Sequence, residues 1–130
     1  MKHSRKLAVV VALAFAGGAA IAQQAGFTRT ALQDQPLSDP TRHAVQARAE
    51  FAPGVAAGRH THPGEELGYV LEGTLLLEID GQPPRTVNAG ETFFVPAGLV
   101  HDGKNVGSGT AKVLATYVVE KGKPVATPAK

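Results

Sequence analysis

Short apolar runs separated by turn residues are the feature that most limits the fold of this chain. Val45, Ala47, Ala49 and Phe51 alternate with polar residues, and a period of two is typical of a strand with one buried face. Turn residues, mainly glycine and proline, separate the runs, and no segment keeps a helical period over three turns. The pattern predicts an all-β sandwich or barrel. Strands are expected over residues 27–32, 45–51, 59–62, 66–72, 74–80, 85–87, 92–96, 100–106 and 110–120.

The N-terminal segment has the organisation of an export signal. A short positive stretch, residues 1–6, precedes an apolar run over residues 7–16, which is too short to span a bilayer well. An Ala-x-Ala sequence follows at residues 20–22, so we expect cleavage between Ala22 and Gln23. The alternative is an uncleaved N-terminal anchor. Cleavage predicts a periplasmic or secreted protein.

Charge and composition exclude several classes of protein. Loss of Lys2, Arg5 and Lys6 with the signal leaves ten of the 13 basic residues against all 11 acidic ones, a formal net charge of −1. The remaining basic residues form no stripe, so neither a nucleic-acid partner nor, after cleavage, a membrane partner is expected. The chain has no cysteine, which excludes a disulfide scaffold and a thiol nucleophile.

The 130 residues suit one domain. We expect the β domain to cover residues 41–120, after a polar N-terminal extension over residues 23–40. Residues 121–130 contain two prolines and three lysines, and this composition predicts a flexible C-terminal tail.

Four ionisable residues occur where strands should present an inner face. His60 and His62 are two residues apart on one strand and point to the same side. Glu66 begins the returning strand after a Pro-Gly turn, and His101 lies on another strand. In an apolar interior these groups would be costly unless a cation satisfied them, so the pattern predicts a divalent transition-metal site. Each residue also has an ordinary interpretation as an exposed strand histidine, a solvated carboxylate or a loop histidine.

The spacing of these residues resembles the two sequence motifs of the cupin family. The first motif fits Gly54, five residues, His60-Thr61-His62, three residues, Glu66, six residues and Gly73. The second fits Gly90, five residues, Pro96-Ala97-Gly98, two residues, His101, three residues and Asn105. Residues 74–89 form a short spacer between them, as in small single-domain cupins.

This resemblance implies a fold and a ligand set. The fold is a single conical cupin β-barrel of the jelly-roll type, with six to eight antiparallel strands. The metal ligands are His60, His62, Glu66 and His101, and the ion is one divalent transition metal: iron, manganese, nickel, copper or zinc. Family spacing and strand alternation both favour Glu66 over its neighbour Glu65, which is expected in the turn.

The chemistry of the site stays open between classes, because cupins include enzymes and binding proteins. The chain is similar to small cupin-2 or quercetin-dioxygenase-like proteins. One interpretation is a metal-dependent oxygenase acting on a small oxygenated organic molecule; the alternative is a non-catalytic binding protein or sensor. A purely structural protein would leave the four ionisable groups unexplained. A homodimer formed through residues 67–71 and 75–77 is also expected.

No general acid or base is assigned from the sequence. The candidates have ordinary interpretations as solvated or barrel-end side chains, and they are Arg59, Glu91, Asp102 and Tyr117.

Overall fold

The computed structural model describes residues 24–130. The predicted export signal and its cleavage site lie outside these residues. The strands are β1 (Phe27–Pro36), β2 (Arg42–Phe51), β3 (His60–Thr61), β4 (Gly64–Glu72), β5 (Thr74–Ile79), β6 (Arg85–Asn88), β7 (Thr92–Val95), β8 (His101–Asn105), β9 (Ala111–Glu120) and β10 (Thr127–Pro128).

The strands form two five-stranded antiparallel sheets. One has the order β1-β2-β9-β4-β7 and the other the order β10-β3-β8-β5-β6. Residues 24–130 contain no helix, so none of them forms a helix able to cross a membrane. The all-β prediction is therefore confirmed, and the predicted strands correspond closely to β2 through β9.

Strand alternation explains the core. On β9 every second residue is buried, because this strand pairs with β2 on one side and β4 on the other. The inner faces of both sheets supply a core cluster that includes Phe51, Val70, Leu75 and Phe93. Among the described residues, the buried polar or charged ones are His62, Glu66, His101 and Asn105.

The N-terminal extension differs from its prediction. The sequence suggests one short strand there, whereas β1 pairs with β2 from Phe27↔Phe51 to Pro36↔His43. Only Phe27 of β1 is buried, since β1 is the edge strand of its sheet. An edge strand with exposed polar residues lacks the apolar alternation that identified β2. The β domain thus begins at β1.

The C-terminal segment also differs from the flexible tail that its composition predicts. Strand β10 pairs with β3 through Thr127↔Thr61 and Pro128↔His60. Just before it, Ala126 is buried and Val125 packs against a core cluster. Because β3 has only two residues, its pairing gives no apolar period in the sequence. We call residues 124–130 the C-terminal strap.

A glycine on β4 makes room for an aromatic ring of the core. A Cβ added at Gly68 would lie 2.1 Å from Cζ of Phe93. We therefore expect Gly68→Ala to lower the free energy of unfolding by about 1–3 kcal/mol through overpacking. Urea denaturation measures this change. Gly109→Ala is the control, because an added Cβ there meets nothing within 4 Å. Equal stability of the two variants would contradict the prediction.

Candidate metal centre

Three histidine rings converge between the two sheets. His60 on β3 and His101 on β8 are direct cross-strand partners, and their ring centroids are 4.3 Å apart. His62 follows β3 where the chain passes from one sheet to the other, and its ring lies 4.8 Å from His60 and 4.9 Å from His101. One ligand atom from each histidine lies within 4.8 Å of the others. These three residues could hold a metal ion.

The carboxylate of Glu66 joins this cluster from β4. Its Oε2 lies 3.0 Å from Nε2 of His62 and 3.1 Å from Nε2 of His101. Glu65 also belongs to β4 rather than to the preceding turn, where the sequence placed it. It points to the opposite side and pairs with Arg42. The structure thus brings together the four residues that the sequence singled out, with Glu66 inside and Glu65 outside.

Backbone carbonyl groups orient all three rings. A carbonyl can only accept a hydrogen bond, so each ring donates through Nδ1. In a neutral imidazole the other nitrogen, Nε2, then carries a lone pair, as a metal ligand requires. The bonds run from His60 to Gly58 O (2.6 Å), from His62 to Val125 O (2.6 Å) and from His101 to Leu99 O (2.9 Å).

This donor set fits a divalent cation. With neutral rings, the inward Nε2 atoms and the Glu66 carboxylate are all acceptors and repel one another. Nε2 of His62 is buried and has no hydrogen-bond partner, although it lies 3.0 Å from Glu66 Oε2. Burying such an atom is costly without a compensating partner. A cation bound to the four groups would provide that partner, and imidazole with carboxylate suits a transition metal.

Burial and neighbouring charges set the protonation states. Burial, together with the charge of His101, lowers the pKa of His60 to about 4. Burial alone would raise the pKa of Glu66, but a His101 or His62 ring that is protonated on Nε2 donates a hydrogen bond to the carboxylate and carries a positive charge, and these effects outweigh burial and bring that pKa to about 2. At neutral pH His60 is therefore neutral and Glu66 is ionised, which are the forms that bind a metal.

A small cavity lies beside the cluster. Its volume is about 30 Å³. Most of its wall is apolar, and the polar side chains that reach it are Arg29, His60, Glu66, His101 and Tyr117. Sequence reasoning missed Arg29, because it lies on β1, in the segment that looked like a polar extension.

Tyr117 differs from its expected role as a barrel-end residue. It is 1% exposed, and its ring centroid lies 4.5 Å from that of His62. Burial raises the pKa of its phenol, and the charge of Glu66 raises it further. Tyr117 therefore stays protonated at neutral pH.

The other three candidates lie away from the cavity wall. Arg59 pairs with Asp80, and both are about half exposed. Glu91 accepts a hydrogen bond from the backbone of Asn88, and Asp102 accepts one from the backbone of Gly58. These bonds serve turns and strand ends.

The fold and the site define a small β-barrel with a candidate metal centre, and comparison with known proteins gives its family. The model of the cupin domain matches residues 47–125, and the chain belongs to this family.

Several relatives are oxidases by name. Oxalate oxidase 2 of Hordeum vulgare is 40% identical over 78 residues, which cover 54% of this chain and 35% of the relative. Germin-like protein 1-1 of Oryza sativa subsp. japonica is 42% identical over 76 residues, which cover 55% and 35%. The chain thus spans about a third of the length of these curated relatives.

Solved structures agree with the fold. An oxalate oxidase in complex with the substrate analogue glycolate has a TM-score of 0.63 and 29% identity, covering 88% of this chain and 60% of that chain. An RmlC-like cupin from Shewanella frigidimarina has a TM-score of 0.59 and 20% identity, covering 76% and 81%. The second likeness concerns the fold alone.

Proposed function

We propose that this cupin is a metal-dependent oxidoreductase that acts on a small carboxylic acid. The observation that carries the proposal is the convergence of three inward Nε2 atoms and one carboxylate beside a small cavity with a mostly apolar wall. His60, His62, Glu66 and His101 would be the ligands. The oxalate oxidases among the relatives support a carboxylate substrate.

A redox-active divalent ion at this site would supply Lewis acidity and a route for electrons to dioxygen. With oxalate the reaction balances as follows. The dianion, one O₂ and two protons give two CO₂ and one H₂O₂, with cleavage of the C–C bond. The two electrons released by oxalate reduce dioxygen to peroxide.

The chain itself contributes shape, orientation and exclusion of water. The backbone carbonyl bonds fix each ring with its lone pair inward, so the ligands need little rearrangement to bind the ion. A cavity of about 30 Å³ favours a substrate of a few heavy atoms over a flavonol. Its apolar wall, which includes Phe27, Phe51 and Phe93, limits access of bulk water to the reacting groups.

Oxygen uptake with defined metals tests this proposal. We expect protein loaded separately with iron, manganese, nickel, copper or zinc to consume O₂ with oxalate or glycolate for at least one redox-active metal. Peroxide and CO₂ should appear in the balanced ratio with oxalate. Zinc-loaded protein is the control, since zinc has no redox chemistry.

Two results would replace the proposal. Saturable binding of oxalate or glycolate without O₂ uptake for any metal would favour a binding protein or sensor. Failure to bind either acid at any metal loading would contradict a small carboxylate as the ligand.

A further inference from the structure

A cationic side chain reaches the cavity from outside the segment that matches the family. Arg29 lies on β1, opposite Ala49 of β2, whereas the family match begins at residue 47. Since Phe27 and Arg29 are two residues apart on one strand, both side chains point to the inner face, and both line the cavity.

Two aromatic rings flank the guanidinium of Arg29. Its Cζ lies 5.3 Å from the ring centroid of Phe27 and 5.9 Å from that of Tyr117. Both distances are within the range of cation–π attraction. The rings hold a planar group with several N–H donors at the cavity, the geometry that suits bidentate recognition of a carboxylate.

The charge of Arg29 has no matching anion. Within residues 24–130, no carboxylate oxygen lies within 4.0 Å of its guanidinium nitrogens. Its Nε is buried and makes no hydrogen bond. Arg48, on the neighbouring strand, also has an Nε without a hydrogen bond, but its charge has a matching anion, because Glu50 Oε2 lies 3.6 Å away. A partly buried cation with an unsatisfied donor is costly unless an anion balances its charge and accepts the hydrogen bond.

We propose that Arg29 binds a carboxylate group of the substrate and so selects a small dicarboxylate, with one carboxylate at the metal centre and the other at the guanidinium. This inference rests on the proposed function and names its substrate class. Oxalate carries a second carboxylate for Arg29, whereas glycolate offers only a hydroxyl group. The protein should therefore bind oxalate more tightly than glycolate, and Arg29 should account for the difference.

Calorimetric binding to zinc-loaded protein tests the inference without turnover. We expect Arg29→Met to weaken oxalate binding about 10- to 100-fold, the usual effect of losing a hydrogen-bonded charge pair. Glycolate binding should change by less than about 3-fold. Arg29→Lys keeps the charge but loses the planar guanidinium that can bind a carboxylate through two N–H groups. Its affinity for oxalate should therefore lie between those of Arg29→Met and the unmodified protein. Arg48→Met is the matched control and should leave both acids unaffected.

The outcomes separate the two proposals. Zinc content and thermal unfolding of each variant report whether the site and fold are intact, and Arg29→Lys serves if Arg29→Met does not fold. Equal oxalate affinity in the Arg29 variant and the unmodified protein would overturn the role of Arg29 and leave the proposed function standing. Failure of the unmodified protein to bind oxalate at all would overturn both.

Discussion

Glu66→Gln is expected to reduce the affinity for a divalent metal by more than about 100-fold, beyond the usual 10- to 100-fold cost of losing a residue that merely orients a ligand. Glu66 would provide the anionic ligand, and its carboxylate already contacts two of the three histidines. A glutamine has nearly the same shape but no charge. Competition with a chelator of known zinc affinity measures the change.

Glu66→Gln should have opposite effects on the stability of the metal-bound and the metal-free protein. When the free metal concentration is 100 times the dissociation constant, metal binding stabilises the fold by about 2.7 kcal/mol. A chelator removes that stabilisation. Glu66→Gln should therefore be less stable than the unmodified protein when metal is present. Without metal at pH 8, the glutamine NH₂ can donate a hydrogen bond to Nε2 of His62 or His101. We then expect the variant to be at least as stable as the unmodified protein.

Glu65→Gln is the matched control, since Glu65 lies on the same strand and pairs with Arg42 on the outer side. It should leave metal affinity unchanged. Thermal unfolding with and without chelator completes the comparison. If the melting temperature of the unmodified protein is the same with and without chelator, the prediction that metal stabilises the fold is wrong.

The sequence predicted what local periodicity and spacing encode. Alternation along β2 identified a strand with one buried face, and turn residues marked where the run that forms β9 begins. The prediction that His60 and His62 face the same side followed from strand alternation, and the choice of Glu66 over Glu65 followed from alternation together with the spacing that resembles the cupin motifs. The four candidate ligands come together in the structure because β3 pairs with β8 and the chain then turns into β4.

The parts that the sequence did not predict depend on long-range pairing at sheet edges. Arg29 reaches the cavity only because β1 pairs with β2 along its length. The acceptor for Nδ1–H of His62 is the backbone carbonyl of Val125. Every residue has such a carbonyl, so the residue type at position 125 gives no sign of this hydrogen bond. Neither position belongs to the spacing that resembles the cupin motifs.

An apolar outer surface is another feature that alternation alone did not settle. Leu67, Tyr69 and Leu71 on β4 are exposed, as is Phe94 on β7. Leu67 and Phe94 are cross-strand partners at the edge of their sheet. The homodimer stays a prediction: of its two predicted segments, residues 67–71 present an apolar outer face, whereas Leu75 and Leu77 of the second are buried in the core.

Removal of the C-terminal strap should weaken metal binding about 10- to 100-fold, the usual cost of losing a group that orients a metal-binding histidine. The strap supplies Val125 O, which accepts the hydrogen bond from Nδ1 of His62 at 2.6 Å. Without it, the proton of the His62 ring is free to move to Nε2, the nitrogen that faces Glu66. A chain ending at Lys123 tests this by zinc competition, and ¹⁵N NMR of the histidine rings reports the tautomer.

Two further variants separate orientation of the ring from loss of the fold. A chain ending at Pro128 keeps Val125 and β10, and it should bind zinc within about 3-fold of the full chain. Ala126→Asp keeps the chain length but places a charge at a buried position, which should displace the strap and reproduce the loss of affinity. Cooperative thermal unfolding of each variant confirms that the barrel persists. If displacing the strap leaves both zinc affinity and the His62 tautomer unchanged, β3 and β4 alone hold that ring in place, and the strap only covers the edge of the sheet.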